Sequence, residues 1–141
     1  KELENFYPAF KAVKDYVVQA PEKTTGWYLP SIGQWYDFTA NLGGLPSWDD
    51  AINEGNDLTP NLYRWSNQTE LVSKINAYFE PLGTGNYDAI PNGSYQKFFS
   101  SSTYSDSGIW TWFVGKQANV VQCWHNVRYN SDSAVRPILA F

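Results

Sequence analysis

The hydrophobic repeat of this chain changes near residue 86, and that change constrains the fold more than any other feature of the sequence. Before it, apolar side chains recur three or four residues apart, the spacing of one face of an α-helix. After it, short runs rich in β-branched and aromatic residues alternate with turns, a pattern typical of antiparallel strands. Helices first and strands afterwards predict an α+β fold, with helices packed on a small twisted antiparallel sheet.

The places of the helices and strands follow from these repeats and from the residues that end them. Ser31 and Gln34 match a capping box at the start of the second helix, and a glycine pair at 43–44 ends it. Loop residues dominate 45–66, where a short helical turn near 48–53 is expected. The helices are expected at residues 6–19, 32–42 and 68–80, and the strands at 97–103, 109–114, 119–125 and 134–140.

Each expected helix carries one apolar stripe, the side that it would bury against the sheet. The stripes are Phe6, Phe10, Val13 and Val17 in the first helix, Ile32, Trp35, Tyr36 and Leu42 in the second, and Leu71, Val72, Ile75, Tyr78 and Phe79 in the third. Asn67, with Glu70 three residues later, is the candidate N-cap of the third helix.

Composition narrows the functional classes. The 141 residues suit a single domain, and one domain over residues 1–141 is expected. The net charge is -4 and the basic residues are scattered, so no basic stripe could neutralise phosphates and nucleic acid is excluded as a partner. No apolar run approaches the ~20 residues that span a bilayer. The chain has no methionine, so it is expected to be a trimmed or processed piece of a longer precursor.

Four segments of the chain carry a resemblance to a known family. They are Gly-Trp-Tyr-Leu-Pro-Ser at 26–31, Phe-Ser-Ser-Ser-Thr-Tyr at 99–104, Ile-Trp-Thr-Trp-Phe at 109–113 and Val-Arg-Pro-Ile-Leu-Ala-Phe at 135–141. Their order resembles the C-terminal domain of Bacteroidales surface and fimbrial-type proteins. It is also similar to the collagen-like-adhesin C-terminal domain family and to the variable proteins of diversity-generating retroelements. Phe99 stands where that family usually has Trp.

The resemblance implies a C-type-lectin-like fold at the cell surface or outside the cell. It also implies that the chain is the C-terminal part of a longer exported protein. It implies a non-enzymatic adhesion module that recognises a host or bacterial surface glycan or protein. In the family, an opening strand often pairs with the closing one; here that strand is expected to be missing or upstream, because residues 6–19 look helical. A structural module that assembles a fimbria with other subunits, through its aromatic surface, is the alternative.

Candidate ligand-binding residues follow from the faces of the strands. Successive side chains point to opposite faces, so Cys123 is expected in the core and Trp124 toward solvent. Rings, amides and a guanidinium follow in the adjoining polar loop, and such groups build recognition surfaces. The candidates are Trp124, Asn126, Arg128, Tyr129, Asn130, Tyr104, Asp106 and Trp112. For Trp112 and Trp124, burial in the core is an equally weighted alternative.

Three other features are given structural roles. Trp27 is expected to be a core anchor at the corner before the second helix. The serine run at 100–102 would let a helix approach closely and would satisfy loop carbonyls through its hydroxyls. Arg136 is expected to donate to loop carbonyls or to pair with a carboxylate, with ligand contact as a less favoured role.

Catalytic and metal chemistry are not expected. Cys123 and His125 would lie on one strand face, about 6 to 7 Å apart, so a hydrolase with this dyad is the enzymatic alternative. A buried, inert thiol is the better interpretation, because Cys123 lies in an apolar run and no third group orients the pair. One Cys and one His cannot hold zinc. The Glu-Pro-Asn and Trp-Asn-Asp motifs of calcium-dependent lectins are absent, so binding is predicted to need no calcium and no cofactor.

Overall fold

The structure, a computed structural model, describes residues 8–44, 52–53, 63–66, 68–85, 87–92, 96–115, 120–127 and 133–140. These residues include the helices α1 (Pro8–Lys14), α2 (Ile32–Gly43) and α3 (Gln68–Ala77), and a 3₁₀-helix at Glu80–Leu82. The strands are β1 (Ile52–Asn53), β2 (Tyr63–Ser66), β3 (Gln96–Thr103), β4 (Gly108–Gly115), β5 (Val120–Val127) and β6 (Ser133–Ala134). The predicted α+β class is therefore confirmed.

The strands form one mixed sheet in the order β1-β2-β5-β4-β3-β6. β3, β4 and β5 run antiparallel to their neighbours in sequence, whereas β6 lies parallel to β3. The register of β3 against β4 shifts between Phe99 and Thr103. This arrangement puts β4 beside both β3 and β5 and places the closing residues of the chain along the outer edge of β3.

Two helices cover one face of the sheet. Trp35 and Tyr36 of α2 and Leu71, Val72 and Ile75 of α3 pack against strand residues of that face, and all are at least nine-tenths buried. The predicted capping box of α2 is present, since Ser31 and Gln34 each accept a hydrogen bond from the other's backbone N–H. Gly44 ends the helix with φ +71°, a conformation that glycine adopts without strain. The strand members of this cluster are Phe98, Trp112, Val114 and Cys123.

The other face of the sheet carries a second, smaller apolar cluster. Ala9 and Val13 of α1 pack there with Leu29, Phe99 and Ile109. The sheet is thus covered on both faces near the middle of β3 and β4. An open outer face, on which the predicted ligand surface depends, is not present at that point.

The serine run of β3 joins α2 and β4 through backbone groups. The Ile32 N–H donates to Ser102 Oγ at 3.0 Å, and Ser100 Oγ donates to the Trp110 carbonyl at 2.6 Å. The Ser101 N–H also donates to the Pro30 carbonyl, at 2.8 Å. The run does contact the start of α2, but its hydroxyls bond a helix N–H and a strand carbonyl instead of the loop carbonyls that were predicted.

Several helix predictions need correction. The first helix ends at Lys14, not at residue 19, so Val17 lies beyond it and is 93% exposed. Phe10 is 47% exposed, because α1 turns Ala9 and Val13 toward the sheet instead. Tyr78 is 60% exposed, because α3 ends at Ala77 and the chain changes direction there.

Strand predictions were accurate for β3, β4 and β5 but failed at both edges of the sheet. The expected helical turn at 48–53 is replaced at 52–53 by β1, which pairs with β2. β2 itself lies in the stretch predicted to be loop. The expected strand at 134–140 is reduced to β6, because residues beyond it leave the edge of β3. Phe6, Asn67 and residues 48–51 lie outside the described residues.

The closing segment pairs with the segment that precedes α2. Tyr28 and Ile138 form an antiparallel bridge, in which the Tyr28 N–H donates to the Ile138 carbonyl at 3.0 Å and the Ile138 N–H returns the bond at 2.9 Å. The Thr25 N–H donates to the Ala140 carbonyl at 3.0 Å. The closing residues therefore have an isolated bridge partner between α1 and α2, and residues 8–44 contain no opening strand.

Candidate ligand-binding cleft

A cleft of about 580 Å³ opens where the start of β3 and the closing segment meet the residues that follow α3. Its volume falls within the range of about 300 to 1,000 Å³ that is usual for small-molecule sites. Six aromatic rings contribute to its walls, those of Tyr16, Trp27, Phe38, Phe79, Tyr87 and Phe98. Arg136 and Gln96 supply polar groups among them.

One wall of the cleft is connected to the core by a series of ring contacts. The rings of Trp112 and Trp35 are parallel, with centroids 4.8 Å apart, and Phe38 meets Trp35 edge-on at 5.5 Å. Phe38 stacks on Phe79 at 6.4 Å, and Phe79 stacks on Tyr87 at 5.9 Å. Because each ring is held by the one before it, the position of Tyr87 at the cleft is fixed by packing that begins in the buried core.

The opposite wall is formed by Tyr16 and Trp27. Their rings meet edge to face at 5.1 Å, and the Trp27 Nε1–H donates to the Val18 carbonyl at 2.6 Å. Trp27 is partly buried and packs against the cluster of the second sheet face. It therefore anchors the segment after α1, as predicted, and also offers part of its ring to the cleft.

Arg136 lies at the base of the cleft, with its guanidinium carbon 5.8 Å from the centre of the Phe98 ring. The Nη2 group donates to the backbone carbonyl of Asp88, so the predicted bond to a loop carbonyl is confirmed. Burial lowers the pKa of Arg136, and the charge of Asp88 opposes that shift. The guanidinium nevertheless keeps its charge, because arginine does not lose its proton in proteins.

Other polar groups of the cleft have unused hydrogen-bonding capacity. The Gln96 amide donates weakly to the Lys97 carbonyl at 3.4 Å, which leaves its oxygen available. In the described part of the chain, the hydroxyls of Tyr16 and Tyr87 meet no hydrogen-bond partner. Hydroxyls, an amide and a guanidinium between aromatic rings suit a ligand with both apolar faces and polar edges.

Asn76 fixes the segment that carries Tyr87 and Asp88. Its Nδ2 group donates to the Ile90 carbonyl at 2.9 Å, and its Oδ1 accepts from the Ile90 N–H at 2.8 Å. Ile90 is 1% exposed and belongs to the cluster beneath α2 and α3. The Asn76 side chain thus bonds the backbone of a segment, residues 87–92, that belongs to no helix or strand.

The predicted ligand-binding residues divide into three groups. Tyr104 and Asp106 lie at the turn between β3 and β4, where the Tyr104 ring meets Trp110 edge-on at 5.2 Å. Trp124 and Asn126 lie on β5, in register with Thr111 and Ile109 respectively, so position 126 lies near the turn and position 124 near the middle of the strands. Arg128, Tyr129 and Asn130 lie outside the described residues. The turn is about 20 Å from the cleft along β3.

Trp112 is the one predicted ligand contact that the structure contradicts. Its side chain has no exposed surface, and its ring is covered by Trp35 and Phe98. In register with Cys123 it also belongs to the opposite sheet face from position 124. The core alternative for this residue is correct, because α2 packs directly over the middle of β4.

Cys123 is fully buried, as predicted. Burial raises the pKa of its thiol, and a hydrogen bond with Tyr36 acts in the opposite direction without cancelling the effect. An activated cysteine needs its pKa lowered toward neutrality. The environment of Cys123 is therefore the reverse of that of a nucleophile.

Comparisons of the chain with family models, with curated proteins and with solved structures find no match. The resemblance to C-type-lectin-like surface proteins therefore stays a prediction. In the described ranges, no helix has the length and apolar character needed to cross a membrane. The same ranges hold no group of three or more His, Cys, Asp or Glu side chains arranged to bind a metal ion.

The sequence offered only a partial signal for the cleft. Trp27 and Arg136 both lie in segments that carry the family resemblance, yet they were assigned structural roles. Phe79 and Tyr87 flank a glycine-containing turn, and such isolated rings give no periodic pattern. Their shared position depends on contacts between residues far apart in the chain.

Proposed function

We propose that this chain is a non-enzymatic recognition module of a cell-surface or extracellular protein. It binds a glycan or protein ligand through the cleft beside its C-terminal segment, without calcium. The observation that carries this proposal is the combination of six aromatic rings with a partly buried guanidinium that has spare donors. The resemblance to bacterial surface proteins supports the location and the ligand class.

The chemistry of the cleft favours recognition over catalysis. The polar groups of its described lining are hydroxyls, an amide, the Arg136 cation and the Asp88 carboxylate, and the buried thiol of Cys123 belongs to the core instead. Rings held in place by Trp35 and Phe38 lose little freedom when a ligand binds, so less binding energy is lost to ordering. A rigid aromatic wall of this kind is suited to stacking against the flat face of a ligand.

A glycan array probed with the purified chain tests the proposal, once in calcium and once in EDTA. We expect binding to at least one glycan, with equal signal in both buffers. Tyr87→Ala should weaken that binding at least tenfold, because it removes a cleft ring. Tyr104→Ala is the matched control at the far end of the sheet and should leave it unchanged, with both variants melting as cooperatively as the wild type.

The two tyrosines also separate the cleft from the surface predicted from the sequence. If Tyr104→Ala abolishes binding and Tyr87→Ala does not, the ligand site lies at the β3–β4 turn. If no glycan and no surface protein binds the folded chain, the recognition proposal is wrong.

One observation favours the alternative of an assembly module. The side chains of Tyr16, Val17 and Val18 are exposed in succession, by 43%, 93% and 49%. A run of this kind is typical of a surface that another chain covers. Sedimentation of the wild type and of a Val17→Ser, Val18→Ser variant tests it: assembly requires a concentration-dependent increase in mass that the double variant loses.

A further inference from the structure

We infer that the ligand of the cleft is an acidic sugar, a pyranose ring that bears a carboxylate, within a longer glycan. This inference rests on the proposed function and specifies its ligand. It is carried by Arg136 and by the kinds of group that surround it.

The guanidinium of Arg136 is the cation of the cleft, and most of its donors are unused. Of its five N–H donors, those on Nε and Nη1 meet no acceptor within the described part of the chain. Asp88 approaches through its backbone carbonyl, and its carboxylate contributes a charge interaction only. The planar fork of a guanidinium matches a carboxylate with two parallel hydrogen bonds.

The surroundings of Arg136 strengthen an interaction with an anion. The side chain is partly buried against Phe98, and desolvation makes a charge interaction stronger than it would be in water. A carboxylate offers the remaining donors of this partly buried cation charged acceptors in a matching fork, which form stronger hydrogen bonds than the neutral oxygens of an uncharged ligand. The cleft therefore discriminates in favour of a negatively charged group.

The rings and the remaining polar groups point to a sugar as the carrier of that charge. A pyranose presents a flat face of C–H groups, whose positive edge complements the negative face of an aromatic ring. Its hydroxyls can bond with Gln96 and with the hydroxyls of Tyr16 and Tyr87, which have capacity to spare. A purely hydrocarbon acid would bury the same hydroxyls and amide without partners.

Calorimetric titration with paired oligosaccharides tests the inference. The probes are uronic-acid trisaccharides and sialosides, each beside the same oligosaccharide with its carboxyl group reduced to an alcohol. We expect at least one acidic probe to bind at least tenfold more tightly than its reduced counterpart. The difference should shrink as salt is raised, because salt screens charge interactions.

Substitution of Arg136 tests whether its guanidinium is the group that distinguishes an acidic probe from its reduced counterpart. Arg136→Gln should remove the preference for the acidic probe and leave the weaker binding of the reduced probe in place. Arg136→Lys should retain part of the preference, because it keeps the charge but not the fork. Lys74→Gln is the matched control: it removes one positive charge from the exposed face of α3, where Lys74 pairs with Glu70, and should change neither affinity.

The outcomes separate the inference from the function on which it rests. Equal binding of every acidic probe and its reduced counterpart overturns the acidic-sugar assignment but leaves glycan recognition intact. Tighter binding of a peptide with a free C-terminal carboxylate overturns the sugar assignment in favour of a protein ligand. Binding of no probe of any kind overturns both. The comparison of acidic and reduced probes needs no variant, so it decides the question even if Arg136→Gln fails to fold.

Discussion

The indole rings of Trp35 and Trp112 lie parallel, with an interplanar angle of 2° and centroids 4.8 Å apart. Trp35 comes from α2 and Trp112 from the middle of β4, so this pair joins the helical layer to the sheet. Thr39 completes the junction: its Oγ1 accepts from the Trp112 Nε1–H at 2.8 Å and donates to the Trp35 carbonyl at 2.7 Å. The centre of the core is therefore a polar contact enclosed by aromatic rings.

Replacing Thr39 tests this junction. Thr39→Val keeps the shape of the side chain but leaves the buried Trp112 N–H without its acceptor, which should lower the free energy of unfolding by about 1 to 3 kcal/mol. Thr39→Ser keeps the hydroxyl and should lower it by less, through the loss of one methyl group, about 1 kcal/mol. Urea denaturation measures both, and equal stability of the Val variant and the wild type would contradict the hydrogen bond.

Gly43 allows α2 and α3 to approach closely. A β-carbon at this position would collide with the Leu71 side chain, which is buried against it. Gly43→Ala should therefore lower the free energy of unfolding by about 1 to 3 kcal/mol, as overpacking usually does. The measurement is chemical denaturation monitored by tryptophan fluorescence.

Gly33→Ala is the control in the same helix. There the nearest atom to an added β-carbon is Ser31 Oγ, at 3.7 Å, an ordinary contact. This variant should be neutral or more stable by up to about 1 kcal/mol, since alanine restricts the unfolded chain. The double variant Gly43→Ala, Leu71→Ala should lose less free energy of unfolding than the sum of the two single losses, because a smaller side chain at position 71 leaves room for the added β-carbon at position 43. Additive effects would mean that the two side chains do not meet.

Asn76 is predicted to control the shape of the cleft from a distance. Asn76→Ala removes both bonds to Ile90 and leaves a buried N–H and carbonyl unpaired, so the free energy of unfolding should fall by about 1 to 3 kcal/mol. Ligand affinity should fall as well, because the segment that carries Tyr87 is released.

Asn92 provides the comparison for Asn76 in the same segment. Its Nδ2 group bonds to Thr69 and Ser73 on the exposed side of α3. Asn92→Ala should change stability by less than about 1 kcal/mol, since water can replace the lost partners. Faster amide hydrogen exchange at Ile90 in the Asn76 variant alone would support the role of the Asn76 side chain in holding the Ile90 backbone. Equal exchange rates in both variants would argue against that role.

Cys123 makes stability depend on pH in the alkaline range. Because burial raises the pKa of the thiol, the folded state keeps its proton at pH values where the unfolded chain ionises near pH 8.5. The free energy of unfolding is therefore unaffected by this thiol below that pH. It falls as pH rises above it, with a slope of up to about 1.4 kcal/mol per pH unit. Urea unfolding at pH 8 and pH 10 should show a steeper loss for the wild type than for Cys123→Ala.

Thiol labelling checks the same environment. A disulfide reagent should react slowly with the folded chain at pH 8 and rapidly in denaturant, because Cys123 is enclosed by the core. Rapid labelling of the folded chain, or equal pH slopes for the two proteins, would show that the thiol is accessible.

Local signals predicted most of the fold. The Ser31 and Gln34 cap and the central strands were recognisable because each depends on residues close together in the chain. β1 and β2 were missed because they lie among loop-forming residues, and β2 forms by pairing with β5 more than fifty residues away. The stripe predicted for the first helix was wrong at Val17, because α1 ends at Lys14 and Val17 lies beyond it. The segment after α1 is bonded instead to Trp27, whose Nε1–H donates to the Val18 carbonyl.

The site was predicted less well than the fold. Tyr104, Asp106 and Asn126 do lie near one end of the sheet, with Trp124 nearer its middle, but their part in binding remains a prediction. Trp112 was misassigned because strand alternation shows which residues share a face and not what covers that face. The cleft brings together residues from positions 16 to 138, and no sequence pattern links them.

The sequence by itself determined the α+β class, most of the buried stripes of α2 and α3 and the three central strands, because hydrophobic period and capping act over a few residues. Only the tertiary structure decided that both sheet faces are covered, that Trp112 is buried and that Arg136 meets a ring-lined cleft. Burial and the position of a charge are set by contacts between segments far apart in the chain, and those contacts exist only after the helices and the closing segment have packed onto the sheet.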